Sequence, residues 1–231
     1  MSAAFEDVFE QCCDMDASLA KRLATFAEAV RTQRPDFSDA VERLVRRLSE
    51  SGVGEAAPKP GDVMPPFVLP DETGRLVSLE GLLWQGPVAI TFHRGHWCPY
   101  CRININALVK AHDVIVGDGA EVVAIIPERQ QYATDFKIDG DIPFPVLIDM
   151  DNGYAMSLNL AFWMGEEMKV IMRQRPDRDI AKFQGNESWV LPIPATFVVG
   201  RSGRISARFV DPDYRKRMAI DDLVAALRSA T

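Results

Sequence analysis

The chain has 231 residues, enough for one domain with an appendage or for two small domains, with 47% hydrophobic and 26% charged residues. This composition is typical of a soluble globular protein that buries its core without disulfides. The net charge of −7 argues against nucleic acid or an anionic membrane as partner, because either would need a basic surface. The basic run at 215–217 is interpreted as a solvated helix face.

The amino terminus has early acidic residues and no apolar segment typical of a signal peptide, and no apolar run reaches the length of a membrane span. We therefore expect a cytoplasmic protein. In that compartment a close pair of cysteines is more often catalytic or metal-binding than structural, since thiols are kept reduced. The four cysteines form two pairs, Cys12 with Cys13 and Cys98 with Cys101, which is not a secreted disulfide framework.

The first fifty residues carry apolar side chains at roughly helical spacing. They predict two helices separated around Pro35, with Asp36 or Ser38 as the N-cap of the second. Glycine and proline then become frequent, so residues 51–59 are assigned as a linker. The pattern predicts an N-terminal helical extension over residues 1–50.

The main domain, residues 60–231, alternates short apolar strands with segments of helix length. The predicted strands are 88–92, 121–126, 144–148, 195–199 and 204–210, and the predicted helices are 99–116, 129–138, 152–160 and 214–229. Alternating strands and helices, followed by a hairpin and a helix, predict an α/β fold with a layered sheet. Residues 161–190 fit neither pattern and are interpreted as an insertion.

The motif Cys98-Pro99-Tyr100-Cys101 directly follows a predicted strand and begins a helix. Proline is tolerated in the first helical turn, and the unpaired N–H groups of that turn favour a thiolate. The thiol pKa, near 8.5 when free, falls in many such motifs. One thiolate that attacks and a second thiol that resolves the product are the minimum for thiol–disulfide exchange.

Arg94, His96 and Trp97 precede the C-x-x-C motif in the sequence, and each is a candidate to assist the chemistry of its thiols. Arg94 is a candidate to hold a thiolate or a peroxide oxygen, His96 to lower a thiolate pKa or carry a proton, and Trp97 to cover the dithiol. The plainer alternatives are a surface arginine, a loop histidine and a packing tryptophan. With His93 and the two cysteines, His96 also offers four potential zinc ligands, so a zinc-binding or interaction module is a further alternative.

Several segments, in this order, resemble the peroxiredoxin-like branch of the alkyl hydroperoxide reductase/thiol-specific antioxidant (AhpC/TSA) family. They are GDVMPPFVLPDETGRLVSL, HRGHWCPYC, FPVLIDMDN, PIPATFVVGRSGRI and DPDYRKR, which together span about three-quarters of the chain. The resemblance implies a thioredoxin-like fold, a central mixed sheet flanked by helices. In that fold Pro194, just before a strand, would form a cis-proline loop facing the dithiol.

The resemblance also implies a thiol-dependent peroxidase. Cys101 takes the position of the cysteine that attacks a small hydroperoxide and becomes a sulfenic acid. Cys98 replaces the family's Thr or Ser and would resolve the sulfenic acid as a disulfide, which thioredoxin or a similar reductant protein reduces. No metal, nucleotide or flavin cofactor is needed, because sulfur carries both electrons. The helical extension suggests a homodimer.

Two departures from the family pattern keep a second function open: the hydroxyl of the family's Thr or Ser is absent at Cys98, and the family arginine is absent near Pro194. The family arginine that steadies the attacking thiolate would fall near Pro194, and Arg94, Arg201 and Arg204 are candidates to replace it. In thioredoxins the first cysteine of C-x-x-C is the nucleophile, here Cys98. The alternative is therefore a thiol–disulfide oxidoreductase acting on protein disulfides.

Overall fold

The computed structural model describes residues 3–175 and 178–230. The helices are α1 (Ala3–Asp14), α2 (Leu19–Gln33), α3 (Pro35–Glu50), α4 (Leu79–Gln85), α5 (Pro99–Gly117), α6 (Gln130–Asp139), α7 (Gly153–Ser157), α8 (Glu166–Arg173), α9 (Ile180–Gln184) and α10 (Ile220–Ser229), with a 3-10 turn at Met150–Asn152. The strands are β1 (Val68–Pro70), β2 (Leu76–Ser78), β3 (Val88–Phe92), β4 (Glu121–Ile126), β5 (Val146–Ile148), β6 (Ala161–Trp163), β7 (Val190–Pro192), β8 (Ala195–Val199) and β9 (Ile205–Val210).

The centre of the molecule is a mixed five-stranded sheet in the order β5-β4-β3-β8-β9. Strands β3, β4 and β5 are parallel, whereas β8 is antiparallel to both β3 and β9. Every residue of β3 is buried, because the strand is central and covered by helices on both faces. The predicted α/β, thioredoxin-like fold with an N-terminal helical region is confirmed. Strand β3 leads directly to the C-x-x-C motif at the start of α5.

The amino-terminal region forms three helices, so the prediction of two was wrong. The chain leaves α1 at Asp14, and the Ser18 side chain accepts a hydrogen bond from the Lys21 amide (3.3 Å), which starts α2 afresh. The N-cap of α3 is Arg34 rather than Asp36 or Ser38, because Pro35 already occupies the first helical position.

The region 161–190 is built around a second small sheet. Strands β6 and β7 pair antiparallel, and helices α8 and α9 lie between them in the sequence. Residues 176–177 of this region lie outside the described ranges. The hairpin β1–β2 and helix α4 had no sequence prediction. The final helix begins at Ile220, six residues later than predicted.

Pro194 does not form a cis-proline loop, and this prediction was wrong. Every peptide bond of the described residues is trans. The chain is extended from the end of β7 into β8, with the Ile193 amide donating to the Leu160 carbonyl (2.8 Å) and Ala195 paired with Phe92. The trans form, which is the lower in energy, fits this extended path.

The N-terminal helices pack into the same apolar core as the sheet. Arg22 of α2 is buried and joins three groups: its Nε donates to the Cys12 carbonyl (2.6 Å), and its Nη2 donates to the Cys13 carbonyl (3.1 Å) and to Asn106 Oδ1 (2.6 Å) of α5. Homodimerisation through these helices stays a prediction. No helix in the described ranges is both long and apolar enough to cross a membrane.

Candidate active site

The corner between β3 and α5 is shaped by Gly95. Its φ of +136° is unfavourable for other residues, and a Cβ there would lie 2.6 Å from Glu128 Cδ and 2.7 Å from Trp97 Nε1. The absence of a side chain therefore lets a buried carboxylate and an indole approach the turn. The corner delivers Cys98 as the N-cap residue of α5 and Cys101 in its first turn.

Both sulfurs of the motif are free thiols buried in the protein. Cys101 is fully enclosed, and its Sγ accepts from the Arg94 backbone N–H (3.4 Å) and from Arg217 Nη2 (3.5 Å). Cys98 is 1% exposed and lies in the wall of a narrow cleft. The dithiol is thus held against two positively charged side chains.

The two arginines, Arg94 and Arg217, are both buried. The Arg94 guanidinium carbon lies 3.8 Å from the Tyr214 ring centroid and 4.9 Å from the Trp97 ring centroid. Arg217 donates from Nη1 to the carbonyls of Tyr214 and Lys216, which fixes its orientation. Among residues 3–175 and 178–230, neither guanidinium forms an ion pair with a carboxylate. Their charge is therefore available to the sulfurs.

The surroundings separate the acidities of the two thiols. Burial opposes ionisation of Cys98, but a hydrogen bond from the Cys101 thiol and the charges of Arg94 and Arg217 outweigh it and lower the Cys98 pKa. The pKa of Cys101 is raised, first by burial and then by its bond and proximity to Cys98. These influences favour the thiolate at Cys98 over the thiolate at Cys101.

His96 is bound to a buried carboxylate rather than to a sulfur. Its backbone N–H donates to Glu128 Oε2 (2.7 Å), and its Nδ1 lies 2.8 Å from Oε1. The ring stacks on Tyr132 with centroids 5.2 Å apart. Burial raises the pKa of Glu128, partly offset by these bonds. The arrangement makes His96 a fixed part of the β3–α5 corner.

His93 faces the sheet interior and not the dithiol. Its Nε2 is 3.0 Å from Thr91 Oγ1, and the ring is fully buried. Burial, then the nearby Arg217 charge, lowers the pKa of His93 to about 3. Within the described part of the chain, no three His, Cys, Asp or Glu side chains converge as metal ligands would. The geometry does not support a zinc site.

The buried His93 predicts a specific pH dependence of stability. Because its folded pKa is depressed from 6.5 to about 3, its contribution is complete above pH 6.5 and is lost as the pH falls towards 3. We expect the free energy of unfolding to fall by about 1.4 kcal/mol per pH unit from this group below about pH 6. Urea unfolding at several pH values measures this, with His93→Gln as the comparison. Equal pH slopes for the two proteins would contradict it.

Arg94, Trp97 and the two cysteines, all predicted as site residues, lie together at this corner. Arg201 and Arg204 do not: they donate to surface backbone carbonyls, at Trp84 and Gly61 among others.

Two site residues were missed by the sequence prediction. Arg217 belongs to a run interpreted as a solvated helix face, but it is buried and precedes α10. Glu128 follows β4, whose carboxyl end lies beside that of β3. The neighbouring parallel strand ends were a usable signal for Glu128.

A family model described as AhpC/TSA family matches residues 60–208. The chain is 32% identical over 92 residues to the chloroplastic peroxiredoxin Q of Sedum lineare, covering 40% of this chain and 49% of that protein, so it spans about half the length of this relative. It is 27% identical over 156 residues to the chloroplastic peroxiredoxin Q of Triticum aestivum, and the match covers 61% of this chain and 71% of that protein.

Among solved structures, the chain shares its fold with peroxidoxin BcpB from Mycobacterium tuberculosis. The TM-score is 0.58 at 20% identity, covering 75% of this chain and 99% of that chain. The match to the family model extends over more than half of the sequence and includes strands β3, β4, β5 and β8 and the C-x-x-C corner. The chain therefore belongs to the AhpC/TSA family.

Proposed function

We propose that the protein is a thiol-dependent peroxidase in which Cys98 and Cys101 reduce a hydroperoxide. The observation that carries this proposal is the buried pair of free thiols at the head of α5, held beside two guanidinium groups that lower the pKa of Cys98. A thiolate, rather than a thiol, is the nucleophile needed to attack an O–O bond. Membership of the AhpC/TSA family supports the same reaction.

Cys98 is the sulfur that attacks first in this proposal. It lines the cleft and has the lowered pKa, whereas Cys101 is fully enclosed and has the raised pKa. Both observations favour the order opposite to the one implied by the family resemblance. Arg94 and Arg217 take the place of the family arginine that is absent at Pro194.

The reaction needs only the two sulfurs. The Cys98 thiolate forms an S–O bond with the terminal oxygen as the O–O bond breaks, giving a sulfenic acid. The departing alkoxide or hydroxide takes the proton of the Cys101 thiol and leaves as an alcohol or water. The Cys101 thiolate then attacks the Cys98 sulfur, an S–S bond forms, and hydroxide leaves and is protonated by solvent. The peroxide gains the two electrons that the dithiol loses.

A dithiol protein of the thioredoxin type is proposed as the reductant. Exchange requires in-line access to a sulfur, and both sulfurs are enclosed in the reduced protein. The first turn of α5 or the N-terminal helices must therefore move after oxidation. The same enclosure favours a small peroxide over a protein disulfide as the oxidising substrate, against the alternative of a thiol–disulfide oxidoreductase.

A coupled assay tests the proposed function. Protein is mixed with hydrogen peroxide, thioredoxin, thioredoxin reductase and NADPH, and NADPH oxidation is followed. We expect turnover that disappears in the double variant Cys98→Ser/Cys101→Ser. Peroxide turnover no faster than in the double variant, together with reduction of insulin disulfides by the native protein, would instead support the oxidoreductase.

A further inference from the structure

The cleft beside Cys98 is narrow and lies between the N-terminal helices and the start of α5. Its free volume is about 20 Å³, room for one molecule the size of water or hydrogen peroxide. We call it the Cys98 cleft, and the lining residues used below are Phe5, Phe26, Arg94 and Cys98.

One wall of the Cys98 cleft is apolar and comes from the N-terminal helices. Phe5 of α1 and Phe26 of α2 are both buried, and their ring centroids are 6.3 Å apart. Phe26 also packs edge-on against Tyr100, inside the C-x-x-C motif, at 5.2 Å. A larger guest next to Cys98 would have to displace these rings.

Hydrogen bonds made by Arg22 and Lys110 fix the helices that form the apolar wall. Buried Arg22 links α2 to the carbonyls at the end of α1 and to Asn106 of α5, and Lys110 of α5 donates to the Cys13 carbonyl (2.6 Å). These bonds tie the helices that carry Phe5 and Phe26 to the helix that carries the dithiol. Widening the cleft therefore means breaking buried hydrogen bonds.

The opposite wall offers hydrogen-bond donors. Arg94 lines this wall, and its Nε and Nη1 are buried and have no hydrogen-bond partner among the described residues. A guest made of two oxygen atoms satisfies such donors while fitting the small volume, whereas the hydrocarbon part of an organic hydroperoxide cannot accept their bonds. The cleft thus matches a peroxide group without a bulky substituent.

We propose, resting on the peroxidase function above, that Phe5 and Phe26 limit by size which hydroperoxides reach Cys98. They admit hydrogen peroxide and disfavour peroxides that carry a bulky organic group. Both residues lie outside the family match, which begins at residue 60. The selectivity is therefore a property of the N-terminal helices of this chain.

The test compares second-order rate constants for hydrogen peroxide and for cumene hydroperoxide, measured by stopped-flow with the reduced protein. We expect the native protein to prefer hydrogen peroxide by on the order of a hundredfold. Phe26→Leu keeps an apolar wall while removing the ring, and should raise the ratio of cumene hydroperoxide rate to hydrogen peroxide rate at least about fivefold. Phe5→Leu serves as a second variant of the same wall.

Phe144→Leu is the matched control, because Phe144 is equally buried but belongs to the second core cluster, away from the cleft. The ratio of the cumene hydroperoxide rate to the hydrogen peroxide rate should be the same in this variant as in the native protein. Native rates that agree within about threefold for the two peroxides would overturn the proposal while leaving the peroxidase function intact, as would an unchanged ratio in Phe26→Leu and Phe5→Leu. Reaction with neither peroxide would overturn the proposed function itself.

Discussion

Replacement of Cys98 by serine is expected to lower the rate constant for hydrogen peroxide by at least about a hundredfold, because it removes the attacking thiolate. Cys101→Ser protein should still react once, since Cys98 keeps the charges of Arg94 and Arg217. Without a resolving thiol its sulfenic acid should accumulate. Stopped-flow kinetics gives the rates, and trapping with dimedone followed by mass spectrometry locates the sulfenic acid.

Cys13→Ser is the control for these two variants. Burial raises the pKa of Cys13, which lies at the end of α1, so its loss should leave the reaction with peroxide unchanged. Rapid oxidation of Cys98→Ser protein, with the sulfenic acid at Cys101, would reverse the order of attack and restore the one implied by the family resemblance.

Arg217→Met is expected to lower the rate constant at pH 7 by about twofold to tenfold, because the native Cys98 pKa of about 5 is so far below 7 that even a rise of about two to three units leaves part of the thiol ionised. Methionine keeps an unbranched apolar stem but removes the charge that helps to lower the Cys98 pKa, and each unit of pKa corresponds to about 1.4 kcal/mol. The native rate should change little from about pH 7 to 9, because the thiolate is already formed. The variant rate should rise with pH over that interval as its Cys98 ionises. Stopped-flow rates across this pH range measure both profiles.

The pH profile distinguishes an electrostatic role of Arg217 from a merely structural one. A loss of the same size at every pH would mean that the substitution disturbs packing, and no loss would mean that Arg94 alone is sufficient. Arg204→Met is the matched control, because this arginine donates to the Gly61 carbonyl at the surface and lies away from the dithiol. Its profile should match that of the native protein.

The central strands and α5 were predictable because their signals are local. Strand β3 is a continuous run of apolar and β-branched residues that follows Gly86-Pro87, and the structure places it at 88–92 as predicted. Helix α5 begins at Pro99, where a proline suits the first turn. The corner that carries the two thiols of the C-x-x-C motif is therefore predictable from the sequence alone.

The rest of the site could not be predicted locally, because it depends on tertiary packing. Arg217 reaches Cys101 across 116 positions of sequence, and nothing in its neighbourhood distinguishes it from a solvated arginine. The helical extension was predicted, but its placement over Cys98 through Phe5 and Phe26 was not. The residue types at the C-x-x-C corner do not reveal which distant helices cover Cys98.

In the proposed reaction one dithiol, Cys98 with Cys101, reduces one peroxide molecule. This reaction is tested most directly by adding hydrogen peroxide in steps to the reduced protein, counting the thiols lost and mapping the disulfides by mass spectrometry. We expect two thiols to be lost per peroxide consumed and Cys98 to be joined to Cys101, while Cys12 and Cys13 stay reduced. Peroxide consumption with both thiols of the C-x-x-C motif still free, or a disulfide at Cys12 or Cys13 instead, would contradict it.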